Sequence, residues 1–86
     1  MEHIEKTRIA IQAKIQQLLE SSGRPRRSLE DDDLLFVEVG LDSLDLAQVV
    51  VALEQELKVD PFRKSGSPIR TFGDLVRAYQ KELETL

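Results

Sequence analysis

Residues 40–45 read Gly-Leu-Asp-Ser-Leu-Asp, and an apolar run of helical length follows them. Asp42 is a favoured N-cap residue, because its carboxylate can accept a hydrogen bond from the amides of the first helical turn. Asp45 lies three positions later, where the second member of a capping box is found, although Glu is more usual there. Gly40 gives the preceding backbone the freedom to turn tightly. The stretch therefore predicts that Ser43 projects outward from the first turn of a helix.

The serine lies in a pattern that resembles the acyl carrier proteins. Asp42-Ser43-Leu44 follows a glycine and precedes a long helix rich in Leu, Val and Glu, and segment 71–75 (Thr-Phe-Gly-Asp-Leu) resembles the start of that family's last helix. In the family, the serine of Asp-Ser-Leu carries a 4′-phosphopantetheine arm whose thiol holds an acyl group as a thioester. The resemblance implies that Ser43 is the attachment site for this cofactor, with Asp42 beside it as the helix cap.

The same resemblance implies a fold and a set of partners. The fold would be a small all-α bundle of four helices, three long ones and a short one or a turn, in a single domain spanning residues 1–86. A phosphopantetheinyl transferase would add the cofactor from coenzyme A. Ligases, synthases or transferases would then load and use an acyl or aminoacyl group. The protein itself would be a freestanding carrier and not an enzyme.

The predicted second helix, from Ser43 to Lys58, has two apolar faces. Its core stripe, at helical spacing, consists of Leu46, Val49, Val50, Leu53 and Leu57. Leu44, Ala47 and Val51 fall together on the other face, beside Ser43. This face is either covered by another part of a small bundle, or is a partner surface with an apolar centre and a polar rim. We predict that docking uses Leu44, Asp45, Ala47, Gln48, Val51 and Glu54.

Two glutamines distinguish this helix from that of many fatty-acid carrier proteins. Gln48 and Gln55 stand at positions where acidic residues are common in the family, so docking is expected to depend less on salt. The difference also argues against a direct assignment to fatty-acid synthesis. The sequence does not identify the cargo, although Asp-Ser-Leu is more typical of acyl than of peptidyl carriers.

Composition restricts the range of functions. The 86 residues allow one domain with a small helical core, and the absence of cysteine means that any thiol must be added. No apolar run approaches the ~20 residues of a membrane span and there is no leader, which favours a cytoplasmic protein. The net charge of −4 is uneven, because residues 30–60 hold ten acidic residues against Lys58 alone. This acidity argues against nucleic acid and favours partners with basic docking patches. The layout needs no second copy to close its core, so a monomer is expected.

Periodicity predicts two further helices. The first spans about residues 4–19 and ends near Gly23, a residue suited to a helix C-cap. The last opens at Thr71, which forms a capping box with Asp74. Its core stripe consists of Phe72, Leu75, Val76, Tyr79 and Leu83. Segment 62–70 supports no more than a turn, and whether it forms a short helix is left open.

The first two predicted helices are joined by a loop that is basic at its start and acidic later. Arg24, Arg26 and Arg27 either contact a partner or offset the acidic run 30–33. Segment 34–39 has the composition of a short strand, but so short a chain lacks a sheet for it to join. We predict instead that the apolar residues of the loop cover the core; they are Leu29, Leu34, Leu35, Phe36 and Val39.

Three other functions were weighed against parts of the sequence. An EF-hand calcium loop needs a glycine at its sixth position, and none falls there when the count starts at Asp31 or Asp33. A serine hydrolase needs a base, and the one histidine, His3, lies forty residues before Ser43. The remaining alternative is a small helical interaction domain without cofactor, in which Ser43 merely belongs to a helix start.

Overall fold

The structure is a computed structural model that describes residues 2–25, 27–61 and 69–84, with side chains described from residue 5 onward. It contains three α-helices, α1 (Glu2–Ser21), α2 (Ser43–Leu57) and α3 (Phe72–Glu84). The described residues form no β-strand, which confirms the predicted all-α class. Residues 62–68, which carry most of the predicted short helix or turn, lie outside the described ranges.

The first helix extends beyond the predicted span at both ends and closes with a Schellman motif. Gly23 adopts a left-handed φ of 80°. Its N–H donates to the carbonyl of Glu20 at 3.1 Å, and the N–H of Arg24 donates to the carbonyl of Leu19 at 2.8 Å. These two bonds satisfy carbonyls that the helix end would leave unpaired. Gly23 therefore acts as the predicted C-cap residue and sets the direction in which Arg24 leaves the helix.

The core lies where α1 packs against both α2 and α3. Its helical members are fully or nearly fully buried, and they are Ile11, Ile15, Leu19, Val49, Leu53, Phe72, Leu75, Val76 and Tyr79. Leu18, Leu46, Leu57 and Leu83 are partly buried against this cluster. The predicted stripes of α2 and α3 thus contain the core residues, with Val50 at the margin.

The long loop, residues 27–42, covers one end of the core through only some of its apolar residues. Leu29, Leu35 and Val39 are buried as predicted. Leu34 and Phe36, which were also predicted to reach inward, are exposed to 38% and 44%. The reason is a turn of helical type: the N–H groups of Glu38 and Val39 both donate to the carbonyl of Leu34. In such a turn residues four apart share a face, so Leu35 and Val39 point inward together while their neighbours point out.

The long loop is tied to the start of α3. Leu34 and Thr71 form an isolated antiparallel bridge. The N–H groups of Phe72 and Gly73 donate to the carbonyls of Asp33 and Asp31, each at 2.9 Å. A Cβ on Gly73 would lie 2.9 Å from the carbonyl oxygen of Asp31, so only glycine permits this close approach.

Ion pairs between elements add to these backbone contacts. Arg8 of α1 donates to both carboxylate oxygens of Asp31, at 3.3 and 3.0 Å. Lys14 of α1 lies 3.5 Å from the carboxylate of Glu56 on α2.

Within the described ranges, none of the three helices has both the length and the hydropathy needed to cross a membrane.

Candidate functional site

The N-terminus of α2 is closed by the predicted capping box. The N–H of Asp45 donates to Asp42 Oδ1 at 2.8 Å, and the N–H of Asp42 donates to Asp45 Oδ2 at 3.1 Å. Asp42 has extended backbone angles, as an N-cap residue does. The reciprocal bonds place Ser43 at the first helical position and Leu44 at the second.

Ser43 is exposed at this helix start, as the sequence predicts. None of the described residues hydrogen-bonds to its Oγ, so no general base is held against the hydroxyl within that part of the chain. The side chain of His3, the one histidine of the sequence, lies outside the described side chains. An exposed serine at a helix N-terminus is suited to modification by another protein, because the helix dipole favours a negative group there.

The backbone that leads into Ser43 is held from inside. Leu41 is 3% exposed, and its N–H donates to the carbonyl of Leu35 at 3.0 Å. Leu41 and Leu46 occupy the two positions of a hydrophobic staple; Leu41 belongs to the core cluster and Leu46 packs against it, partly buried. Gly40 takes a left-handed φ of 89°, which lets the chain reverse just before the cap. A buried residue before Ser43 and a partly buried one after it thus hold this backbone against the core, while Ser43 itself is exposed.

Arg24 connects two points on either side of Ser43. Its Nη1 donates to the carbonyl of Gly40, and its Nη2 donates to Asp45 Oδ2 at 2.9 Å. Its Nε donates to the hydroxyl of Ser22 at 2.8 Å, at the end of α1. The sequence left the role of the arginines open, and the structure gives Arg24 a role in holding the loop and α2 together.

Asp45 has a carboxylate that is already engaged. The N–H of Asp42 beside it, together with the guanidinium of Arg24, lowers the pKa of Asp45 below its ordinary value, although burial opposes the shift. Its side chain is 15% exposed. The predicted docking role of Asp45 therefore stays a prediction, and a partner that used this carboxylate would have to share it with Arg24.

The other predicted docking residues line the outer face of α2. Leu44 is 67% and Val51 is 53% exposed, and both belong to the few large apolar side chains that the described residues leave in solvent. Ala47, Gln48 and Glu54 are exposed as well. A shallow depression of about 320 Å³ lies along this face, lined by Ala47, Gln48, Val51, Ala52 and Gln55. The face predicted from the helical pattern is therefore open and not covered by another part of the described chain.

Two features of the structure were not predicted from the sequence. In the long loop, outside α2, Val37 is 82% and Phe36 is 44% exposed, so the described chain also exposes apolar surface there. The second feature is the set of contacts made by Arg24, which links positions far apart in the chain.

Among the described residues there is no group of three or more His, Cys, Asp or Glu side chains that could hold a metal ion.

Comparisons with known proteins agree with this arrangement. The family model described as "Phosphopantetheine attachment site" matches residues 10–62, more than half of the chain, and this range includes α2. A solved structure described as a candidate acyl carrier protein from Mycobacterium tuberculosis matches with a TM-score of 0.70 and 26% sequence identity. The match covers 87% of this chain and 96% of the other.

Proposed function

Because this chain belongs to the phosphopantetheine attachment-site family, whose members carry covalent 4′-phosphopantetheine, we propose that Ser43 Oγ is the attachment point. The chain is an acyl-carrier-type domain and not a catalyst. The observation that carries the proposal is the exposed hydroxyl of Ser43 at the first position of α2, inside the matched range.

The residues around Ser43 fit a phosphodiester-linked arm. The hydroxyl is exposed, so an arm attached there would extend into solvent without displacing the core. Asp42 and Asp45 satisfy each other's N–H groups and leave the start of the helix intact. The partial positive charge of a helix N-terminus favours a phosphate at this position.

In this proposal the phosphopantetheine arm and the protein chain have separate roles. When attached, the arm supplies the thiol that holds an acyl or aminoacyl group as a thioester. The chain's own residues present that arm: α2 holds Ser43 at its end, and the outer face of α2 identifies the carrier to its partners. A tethered cargo meets each partner active site at a raised effective concentration once that face is bound.

The outer face of α2 supports docking by partner enzymes. The transferase that attaches the arm, and the ligases and synthases that load and use the cargo, would contact Leu44, Ala47 and Val51 at the centre of this face. Gln48 and Glu54 would form its rim. Because glutamine carries no charge, we expect binding to weaken less with added salt than binding to a uniformly acidic helix.

We further propose that the chain works as a freestanding, monomeric carrier in the cytoplasm. The net charge of −4 supports contact with basic partners. The core described above is closed by α1, α2, α3 and the long loop, which supports function without a second copy.

The experiment that tests the proposal is intact mass spectrometry after incubation with coenzyme A, Mg²⁺ and a broad-specificity phosphopantetheinyl transferase. We expect a gain of one phosphopantetheine that is lost in Ser43→Ala and kept in Ser28→Ala, a change at another exposed serine. Since the chain has no cysteine, a thiol assay on the same samples should detect one thiol only after loading. Absence of any gain in a folded protein with several transferases would instead support a helical interaction domain without cofactor.

A further inference from the structure

Arg24 is placed to control the geometry of the attachment site without touching the serine. We propose that Arg24 is a positioning residue for Ser43, an inference that rests on the proposed attachment of the arm there. It acts by fixing the carbonyl of Gly40 and the carboxylate of Asp45 to one guanidinium group. These two acceptors lie on either side of Ser43 in the chain.

The end of α1 determines where the guanidinium can reach. The Schellman motif at Gly23 directs the chain so that Arg24 is the first residue after the left-handed position. The hydroxyl of Ser22 accepts from Nε and fixes the near end of the guanidinium plane. The planar fork then presents its two Nη groups to two acceptors at once, which a lysine ammonium cannot do in the same geometry.

The two acceptors define how the long loop enters α2. Gly40 is the left-handed residue at which the chain turns, and Asp45 is the last member of the capping box. A bridge between them restrains the angle between the loop and the helix axis, and hence the direction in which Ser43 Oγ points. Charge-assisted bonds of this kind are stronger than neutral ones, so the restraint should persist in solution.

Removal of Arg24 has two opposite effects on a modifying enzyme. The serine loses its fixed direction, which slows the transfer step because that step needs the hydroxyl in a defined geometry. At the same time the carboxylate of Asp45 loses its counter-charge, which adds attraction for a basic partner. Positioning by Arg24 therefore predicts a fall in kcat, while KM for the carrier stays the same or decreases. A loss of docking would raise KM instead.

Arg27, three residues after Arg24, provides a matched control. Its Nη1 donates to the carbonyl of Glu38 at 2.7 Å, and its Nη2 donates to Asp33 Oδ2 at 3.1 Å. It is 39% exposed, compared with 31% for Arg24. Arg27 thus also joins a backbone carbonyl to an aspartate, but both of its acceptors lie before Gly40.

The test is the rate of phosphopantetheine transfer to Arg24→Gln, Arg24→Lys and Arg27→Gln, measured by intact mass over a range of carrier concentrations. We expect kcat for Arg24→Gln to fall by about tenfold or more, with KM no higher than that of the protein without the substitution. Arg24→Lys should recover part of the loss and provides the comparison if Arg24→Gln does not fold. Arg27→Gln should keep kcat within about twofold, because the two acceptors of Arg27 do not flank Ser43.

The outcomes separate this inference from the proposed function. If the starting protein takes up no phosphopantetheine, the proposed function and this inference both fail. If it is loaded and Arg24→Gln is loaded with an unchanged kcat, the inference alone is wrong. An equal fall in kcat for Arg24→Gln and Arg27→Gln would also overturn it, because that result would show general loosening of the loop.

Discussion

The helices α2 and α3 both begin with a capping box, but the first two residues of α2 are exposed and the first two of α3 are buried. Asp42 and Asp45 exchange bonds at the start of α2, and Thr71 and Asp74 do so at the start of α3. In each case the side chain of the cap residue accepts from the third helical N–H, and the third residue's carboxylate accepts from the cap N–H. The local signals that start the two helices are therefore alike.

The residues that follow each cap differ in burial. At the first two positions of α2, Ser43 and Leu44 are exposed. At the same positions of α3, Phe72 is completely buried and Gly73 lies under the carbonyl of Asp31. The two helix starts show that a capping box determines where a helix begins, whereas tertiary contacts decide whether its first turn is exposed or part of the core.

The largest difference in stability is expected between substitutions in the first turns of the two helices. Phe72→Ala should lower the free energy of unfolding by about 3–5 kcal/mol, because it leaves a cavity in the core. Leu44→Ala should change it by less than about 0.5 kcal/mol, because that side chain lies mainly in solvent. Denaturant unfolding of both variants measures the difference. Equal losses would mean that Leu44 packs against the bundle.

A smaller effect is expected at the second helical position of α3. Alanine normally stabilises a helix relative to glycine, by about 1 kcal/mol. In Gly73→Ala the new Cβ would meet the carbonyl oxygen of Asp31 at 2.9 Å, and a backbone atom cannot move aside easily. We expect a net loss of about 1–2 kcal/mol, measured by denaturant unfolding. A gain in stability would show that the long loop gives way at no cost.

The two caps should make similar, modest contributions. Asp42→Ala and Thr71→Ala each remove one acceptor for a first-turn N–H, and each should cost about 1 kcal/mol. Thermal unfolding of the two variants side by side measures this. A much larger loss for Thr71→Ala would indicate that the bridge to Leu34 depends on the cap.

The smallest expected effect is on the stability of the folded protein at acidic pH. The N–H of Asp42 lowers the pKa of Asp45, and the N–H of Thr71 lowers the pKa of Asp74, both from an ordinary value of 3.8. Each carboxylate therefore stabilises the folded state above that value, and the contribution is lost as the pH falls from about 4 through the lowered folded-state pKa. Asp45→Asn and Asp74→Asn should each flatten the stability curve below pH 4, as measured by unfolding at a series of pH values. An unchanged acid slope in either variant would contradict the shift at that residue.

Much of the fold follows from local signals in the sequence. The helix starts near Ser43 and Thr71 are predicted because the side chain of an Asp or a Thr caps the amides of the first turn and a carboxylate three residues later completes the capping box. The C-cap residue of α1 is predicted because Gly23 readily adopts a left-handed φ, although the helix extends beyond its predicted span. The core stripes of α2 and α3 follow from periodicity alone. Each of these signals acts within a few residues and does not depend on the rest of the chain.

The features that were missed depend on contacts between distant parts of the chain. Phe36 was predicted to be inside because it is apolar, but the turn that begins at Leu34 directs it outward. The contacts of Arg24 to Gly40 and Asp45 span 16 and 21 residues and leave no periodic trace. The role of Ser43 stays a prediction from Asp42-Ser43-Leu44, whereas the contacts that hold its backbone became visible only in the folded chain.

The exposed outer face of α2 has a consequence for how such a protein evolves. Ala47, Gln48, Val51 and Gln55 are exposed on that face. The long loop hydrogen-bonds to α1 and to the start of α3. Substitutions at such surface positions usually change stability by less than about 0.5 kcal/mol. On the docking role proposed for this face, selection for a new partner can therefore change it one residue at a time without a compensating mutation. In that proposal, the residues that maintain the fold and the residues that select the partner are different.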